Sequence, residues 1–335
     1  MEYIGSVRSV EKGIEEGGVL KVVKRHKRHK KYCAEIFGFP PENRSEEAKS
    51  YRETFTCPFR GKECDPDNKV SNLTDEDGNL LVEGQTGECS VWHNPSWSEE
   101  PYPVITCPYR FLEGNVVLNF IKEKFFNNNE IVVAEQVDIP PFGRADALIG
   151  EIIKKDDSLD IGRIAHLEYQ ADGTTGTRGV IECIRDFRQG IDVTKKDYDY
   201  GLNSKASVKG ASLQMINKGY LFQELRIPSI WVLQDYLFRY LRRIYNFDLE
   251  DVTDNPLSSE GKYLYFLITK LEYDKDKKKF ILRIDKCYVT TPEDMQKSIM
   301  GKTHEITIDK LRKKILTKAG HYLRKATISS LRGMS

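Results

Sequence analysis

Glu168 and Gln170 stand two residues apart in the stretch IAHLEYQ, residues Ile164 to Gln170, which alternates as a strand does. Successive side chains of a strand point to opposite faces, so His166, Glu168 and Gln170 share one face and Ala165, Leu167 and Tyr169 the other. Glu168 and Gln170 then project in parallel, roughly 6–7 Å apart by strand rise. Earlier in the chain Asp146 alternates with Ala145 and Ala147 in RADALIGEII. Antiparallel pairing of the two strands brings Asp146 beside Glu168. Two acids on adjacent strands suit a hard cation such as Mg²⁺, which takes one or two carboxylates and keeps its waters. Such an ion lowers the pKa of a bound water and neutralises charge on a phosphodiester under attack. Gln170 can position a water through hydrogen bonds, but it supplies no positive charge and no base. A structural salt bridge or cap uses the same residue types. Glu135 and Asp138, on the strand before, offer a further carboxylate, and the sequence does not decide which of them faces the site.

A second chemistry lies upstream. Cys57, Cys64, Cys89 and Cys107 fall in one loop-like region, spaced C-x6-C, then x24, then x17, with TCPF and TCPY framing the set. None of these spacings is the short C-x2-C knuckle of a zinc ribbon, but four thiolates match a closed tetrahedral site for zinc or iron. Buried free thiols are the alternative. A closed site has no open position for substrate, so its task is to fix loops that have little core of their own. Cys33, Cys183 and Cys287 sit singly in apolar surroundings and read as packing residues. His93, in SVWHNPSW, reads as a packing or surface residue beside a shell that four cysteines already fill.

The elements that must position these groups follow from the pattern. Residues 1–49 read as a basic, helical N-terminal segment, 50–112 as the four-cysteine metal-binding module, and 113–335 as one further domain. A stretch as long as 50–112 without regular structure needs a tie, which metal ligation supplies. NVVLNFIKEKFF has helical spacing. IVVAEQVDI, RADALIGEII and IGRIAHLEYQ form a three-strand meander through the turns PPFG and KKDDSLD. In GVIECIRDF, Val180, Cys183, Ile184 and Phe187 fall on one helix face. A helix near 205–224, a strand in RIPSIWVLQDY, the basic amphipathic helix LFRYLRRIYNF, a hairpin over 262–289 and a basic helical tail follow. The order is that of an α/β fold around a mixed central sheet. The loop ADGTTGTRG lies between strand and helix but lacks the spacing of a phosphate loop; Arg178 in it is a candidate DNA contact.

The bulk numbers exclude some classes. The chain has 335 residues and a net charge of +1, so affinity for nucleic acid must come from charge sorted onto one surface. Local sorting exists in KVVKRHKRHKK, residues 21–31, which is either a phosphate-contacting arm or a solvated helix face. No apolar run is long enough to span a membrane, and the N-terminus lacks a signal-peptide core, so a cytoplasmic protein is expected.

An acid on one strand, followed on the next by acid, any residue and usually Lys, is the layout of the PD-(D/E)XK nucleases. The chain resembles in particular the NotI-like type II restriction endonucleases, which join such a core to an N-terminal four-cysteine module. The likeness rests on AEIFG (residues 34–38), TCPF, Cys64, GECSV and ITCPYR, RADAL followed by HLEYQ, and SLQMINKGY with its Gln214–Met215 pair. It implies a PD-(D/E)XK core with helices flanking a mixed sheet, Asp146 and Glu168 on Mg²⁺, and Gln170 in the usual place of Lys. It implies a structural metal, iron in that family, on Cys57, Cys64, Cys89 and Cys107. A homodimer cutting both strands of a palindromic, GC-rich site in double-stranded DNA is implied too, with a cognate DNA methyltransferase as partner. The basic arm at 21–31 finds no counterpart in the resemblance, and the first hairpin is shorter here, so the accessory carboxylate does not carry over. Two rivals remain open: a PD-(D/E)XK nuclease of repair or mobile-element type, and a metal-stabilised DNA-binding protein whose acids are structural.

Overall fold

The computed structural model describes residues 29–64, 85–155, 158–301 and 307–317. Residues 21–28 of the basic arm, the middle of the KKDDSLD turn and the tail beyond 317 lie outside the described residues.

The chain enters through β1 (Cys33–Ile36), α1 (Glu46–Glu53), the short pair β2 (Thr56–Cys57) and β3 (Lys62–Glu63), then β4 (Glu88–His93) and β5 (Tyr102–Ile105). Ser45 caps α1 by accepting from the Ala48 N–H, and Glu46 and Glu47 sit in its first turn where the helix dipole favours acids. β1, β4 and β5 form a three-stranded sheet. The stretch AEIFG, expected as an early helix, is therefore a correction: its first three residues belong to a strand antiparallel to β4, and Phe37 and Gly38 form the turn after it. Every residue of β1 is buried, and a short run buried on all sides has no periodicity that separates strand from helix. Region 50–112, expected without regular structure, contains four of these strands, each too short to show a pattern.

A 3-10 segment (Pro108–Asn115) leads into α2 (Val116–Phe126), whose Val117, Ile121 and Phe125 recur at helical spacing and are buried. The meander follows as β6 (Ile131–Asp138), β7 (Arg144–Lys155) and β8 (Ser158–Gln170), all antiparallel. After β8 come β9 (Thr174–Thr175), α3 (Thr177–Arg188), β10 (Gly201–Leu202), α4 (Ser204–Glu224), β11 (Ser229–Gln234), α5 (Asp235–Ile244), β12 (Glu250–Asp251), β13 (Leu264–Asp274), β14 (Lys279–Thr290) and α6 (Pro292–Gly301). Residues 308–317 are helical and exposed.

The protein is α/β, with a mixed seven-stranded sheet in the order β12-β14-β13-β11-β8-β7-β6. β11 runs parallel to both β8 and β13 and is buried along its whole length, as parallel strands covered on both faces are. One face of the sheet, with Ala147, Ile149, Ala165, Leu167, Ile230 and Val232, packs on α2 and on Ala34 and Ile105 of the small sheet. The opposite face packs Trp231, Leu233 and Phe266 against Met215 of α4 and Leu237 of α5. The cysteine region shares a third cluster with α3, through Val180, Ile184 and Phe187. Arg110, fully buried, ties that region to the sheet: it pairs with Glu35 and Glu113 and donates to the Phe280 carbonyl. Among the described residues no helix is long and apolar enough to cross a membrane.

Candidate functional site

The β7–β8 register pairs Ala147 with Leu167 and Leu148 with His166. One step further, Asp146 lies opposite Glu168, and the Tyr169 N–H donates to Asp146 Oδ2 at 2.9 Å. Ala147 and Leu167 belong to the α2-side core, so Asp146, His166 and Glu168 alternate onto the α4 side. The two acids thus share one face on neighbouring strands.

Their surroundings differ in charge. Glu168, 6% exposed, receives two donors on the same oxygen, Oε1: His166 Nε2 at 2.9 Å and the Lys218 ammonium. Burial pushes its pKa up, but the hydrogen bonds from His166 and Lys218 outweigh this and hold it below the ordinary carboxylate range. The imidazole is itself buried and stacked on Phe222, 4.2 Å between centroids. Burial lowers its pKa, so it stays neutral, donating to Glu168 while Nδ1 lies 2.9 Å from Ser229 Oγ. Asp146 goes the other way. Burial, with the nearby Glu168 charge adding, raises its pKa against the opposing Tyr169 hydrogen bond. Its second oxygen has only a long contact, 3.4 Å, from Gln136 Nε2.

Lys218 is the residue that sequence reasoning missed. It comes from α4, is 2% exposed, and its Nζ also donates to the Arg144 carbonyl at 2.7 Å. The signal was available in part: Lys218 falls on the buried stripe of α4 with Met215 and Phe222, and a lysine there demands an anionic partner.

Gln170 stays half-buried and spends its amide N–H on the Ala171 carbonyl at 2.7 Å. Two residues on, buried Asp172 accepts from Ser204 Oγ and Ser207 Oγ and so holds the start of α4, which makes it a structural acid. Gln136, with φ of +53°, falls opposite Asp146 in an unbroken β6–β7 register, so Glu135 opposes Ala147 and turns to the α2 side, while Asp138 opposes Arg144. Asp138 is exposed and paired with Arg144 at 2.8 Å. Neither adds a carboxylate to the Asp146–Glu168 pair.

The four clustered cysteines line one small cavity, about 10 Å³, together with Pro58, Gly87 and Tyr109. Backbone hydrogen bonds gather them: Cys107 N to Cys89 O, Gly61 N to Cys57 O and Cys64 N to Phe55 O. Burial pushes the Cys107 thiol up to about 12 and the Cys89 thiol well above its usual value. The Cys89 thiol points at the Gly87 carbonyl, 3.3 Å away. Among the described residues no three His, Cys, Asp or Glu side chains are drawn together at ligating geometry. The shared cavity is the better guide to what these residues can do, because thiols held protonated have no reason to converge until a cation displaces their protons. The donor set fits a thiolate-loving metal. Asp146 and Glu168, two carboxylates on one face of adjacent strands, match the one or two acids that Mg²⁺ takes.

The other candidates lie elsewhere. Arg178 is exposed in the first turn of α3 and pairs with Glu182 at 3.3 Å. His93 ends β4 and packs edge-on against Tyr236, 5.4 Å between centroids. It opens on a groove of about 250 Å³ lined also by Trp97, Lys205, Tyr236, Arg239 and Arg243. No protein-family model matches the chain, and no curated protein matches it either.

Proposed function

We propose that the chain is a Mg²⁺-dependent type II restriction endonuclease, cutting phosphodiesters at a specific palindromic site in double-stranded DNA. The observation that carries this reading is the pairing of Asp146 and Glu168 on one face of adjacent strands, with a single lysine to balance them. In this reading Asp146 and Glu168 hold the ion. When bound, Mg²⁺ activates a water and offsets charge on the phosphate. His166 and Lys218 keep the Glu168 carboxylate ionised and aimed, and the Tyr169 N–H fixes Asp146. Gln170 orients the water by hydrogen bonding. Water oxygen bonds to phosphorus, the P–O3′ bond breaks, and the products are a 5′-phosphate and a 3′-hydroxyl. The water's proton goes to a substrate phosphate oxygen, since the amide of Gln170 cannot take it, and a solvent proton converts the leaving 3′ oxygen to the hydroxyl.

Cys57, Cys64, Cys89 and Cys107 hold a structural iron or zinc in the same reading. The groove with Lys205, Arg239 and Arg243 supplies locally sorted positive charge that a chain of net +1 needs to bind DNA. A homodimer places two such sites on a twofold axis, matching a palindrome, and a cognate methyltransferase protects the host's own copies.

The rival, a DNA-binding protein that does not cut, rests on one observation: Glu168 is already neutralised by Lys218, as a structural acid would be. Purified protein incubated with plasmid and Mg²⁺ separates the readings. Discrete bands support restriction, a smear supports a non-specific nuclease, and intact plasmid supports the rival. Glu168→Ala should remove cleavage while sparing duplex binding in a mobility-shift assay; an active variant would exclude Glu168 from the mechanism. For the cysteines, elemental analysis should find one iron or zinc per chain, red in solution if ferric, and Cys89→Ser should lose it.

A further inference from the structure

Lys218 carries an inference that rests on the nuclease reading and says how that site is tuned. Among the described residues it is the one cation in contact with the acid pair, and it arrives from a helix while the strand position two beyond Glu168 holds a neutral amide. The geometry pins it twice, to Glu168 Oε1 and to the Arg144 carbonyl, inside a wall from which water is nearly excluded. Arg144, the nearest other cation on the strand, is committed to Asp138 at the sheet edge. The cluster of Asp146, Glu168 and Lys218 therefore has one net negative charge.

We infer that Lys218 trades metal affinity for phosphodiester affinity: it weakens cation binding at Asp146 and Glu168 so that the loaded site is left net positive and draws the anionic DNA backbone. A divalent ion on two unbalanced carboxylates ends neutral and offers a phosphodiester no net attraction. With the ammonium present the loaded cluster has one positive charge, and a phosphodiester of one negative charge closes it. At a few ångströms inside a partly buried site, one unit of charge changes affinity by about tenfold or more. Lys218 acts through Glu168, so it is a positioning residue, and its effect on the two ligands has opposite sign. Simple loss of structure would weaken both.

The test uses the full chain as wild type, Lys218→Gln and a charge-matched control, Lys49→Gln on the exposed face of α1. Glutamine keeps a donor for Glu168 and the Arg144 carbonyl while removing the charge. Ca²⁺ binding to the protein alone is measured by calorimetry. Binding of a labelled DNA fragment that the wild type cuts in Mg²⁺ is measured by anisotropy in saturating Ca²⁺. Lys218→Gln should bind Ca²⁺ about tenfold tighter and the fragment about tenfold weaker, whereas Lys49→Gln should shift neither by more than about threefold. If both ligands move the same way in Lys218→Gln, or neither moves, the inference is overturned while the nuclease reading stands. If the wild type cuts no DNA and binds no Ca²⁺, the nuclease reading fails and takes the inference with it. Should Lys218→Gln not fold, Lys218→Arg decides: keeping the charge, it should stay within about threefold of wild type for both ligands, and a tenfold loss of fragment affinity would overturn the inference.

Discussion

Two points along the β7–β8 ladder hold acids in opposite electrostatic states. In mid-ladder, at the register shift between Gly150 and Ile152, Glu151 is matched charge for charge: Arg163 grips it through two nitrogens, at 2.8 and 3.0 Å, and Asn129 adds a third donor. Its pKa falls to about 2, set first by the Arg163 hydrogen bonds and then by Asn129. At the near end two carboxylates share one lysine, and Asp146 is pushed above its usual value by burial with the Glu168 charge adding. The same two strands thus carry one balanced and one unbalanced acid cluster. A balanced cluster serves the fold. An unbalanced one costs stability and is kept where a cation is to be received.

That contrast can be broken most sharply by activity. Asp146→Asn should lower Mg²⁺-dependent cleavage by about a thousandfold or more, equivalent to roughly 4 kcal/mol of barrier, while Glu151→Gln should leave it within about twofold. Plasmid nicking under single-turnover conditions reads both, and equal losses would erase the distinction. Stability should respond with the opposite sign. At neutral pH and without metal, Asp146→Asn removes a strained charge and should stabilise the protein by on the order of 1 kcal/mol. Glu151→Gln should destabilise it. Urea melts of the two variants would decide, and a destabilised Asp146→Asn would mean that this carboxylate is structural.

The smallest effects lie in pH dependence. Because the folded pKa of Asp146 is raised, its protonated form contributes stability below the ordinary aspartate pKa, lost as pH rises through the folded value. Asp146→Asn should therefore flatten the wild type's decline just above that range. Because the folded pKa of Glu151 is depressed, its contribution exists above the ordinary glutamate pKa and disappears as pH falls toward about 2. Thermal melts of Glu151→Gln and wild type should accordingly differ near neutrality and converge in acid.

Much of this was legible in the sequence because it depends on local period. The meander, the strand in SIWVLQ and the 264–290 hairpin follow from apolar pattern and β-branched residues, and alternation with antiparallel pairing placed Asp146 and Glu168 on one face, while the parallel direction of SIWVLQ was not read. Lys218 was hidden because it lies 50 residues from Glu168 on an element of another period, and nothing local pairs a helix position with a strand position. The strand at Cys33–Ile36 was misread because its partner, β4, lies more than fifty residues away and its pattern is uniformly apolar apart from Glu35. That glutamate is answered by Arg110, again from a distant segment. Breaking this fully buried pair by Arg110→Ala would cost about 3–5 kcal/mol.

Gln136 keeps β6 in step although its own backbone turns left-handed. The register runs without a break from Ile131 opposite Glu151 to Asp138 opposite Arg144, so Gln136 faces Asp146 and Asp138 falls in line with Arg144 and Asp146 by plain alternation. A deletion of this single residue would leave composition and hydrophobic content almost untouched, yet it would rotate Asp138 to the other face. Length changes in the exposed turn at 139–143 carry no such penalty. The edge of the sheet beside the acids is therefore written in a reading frame, and one position keeps that frame.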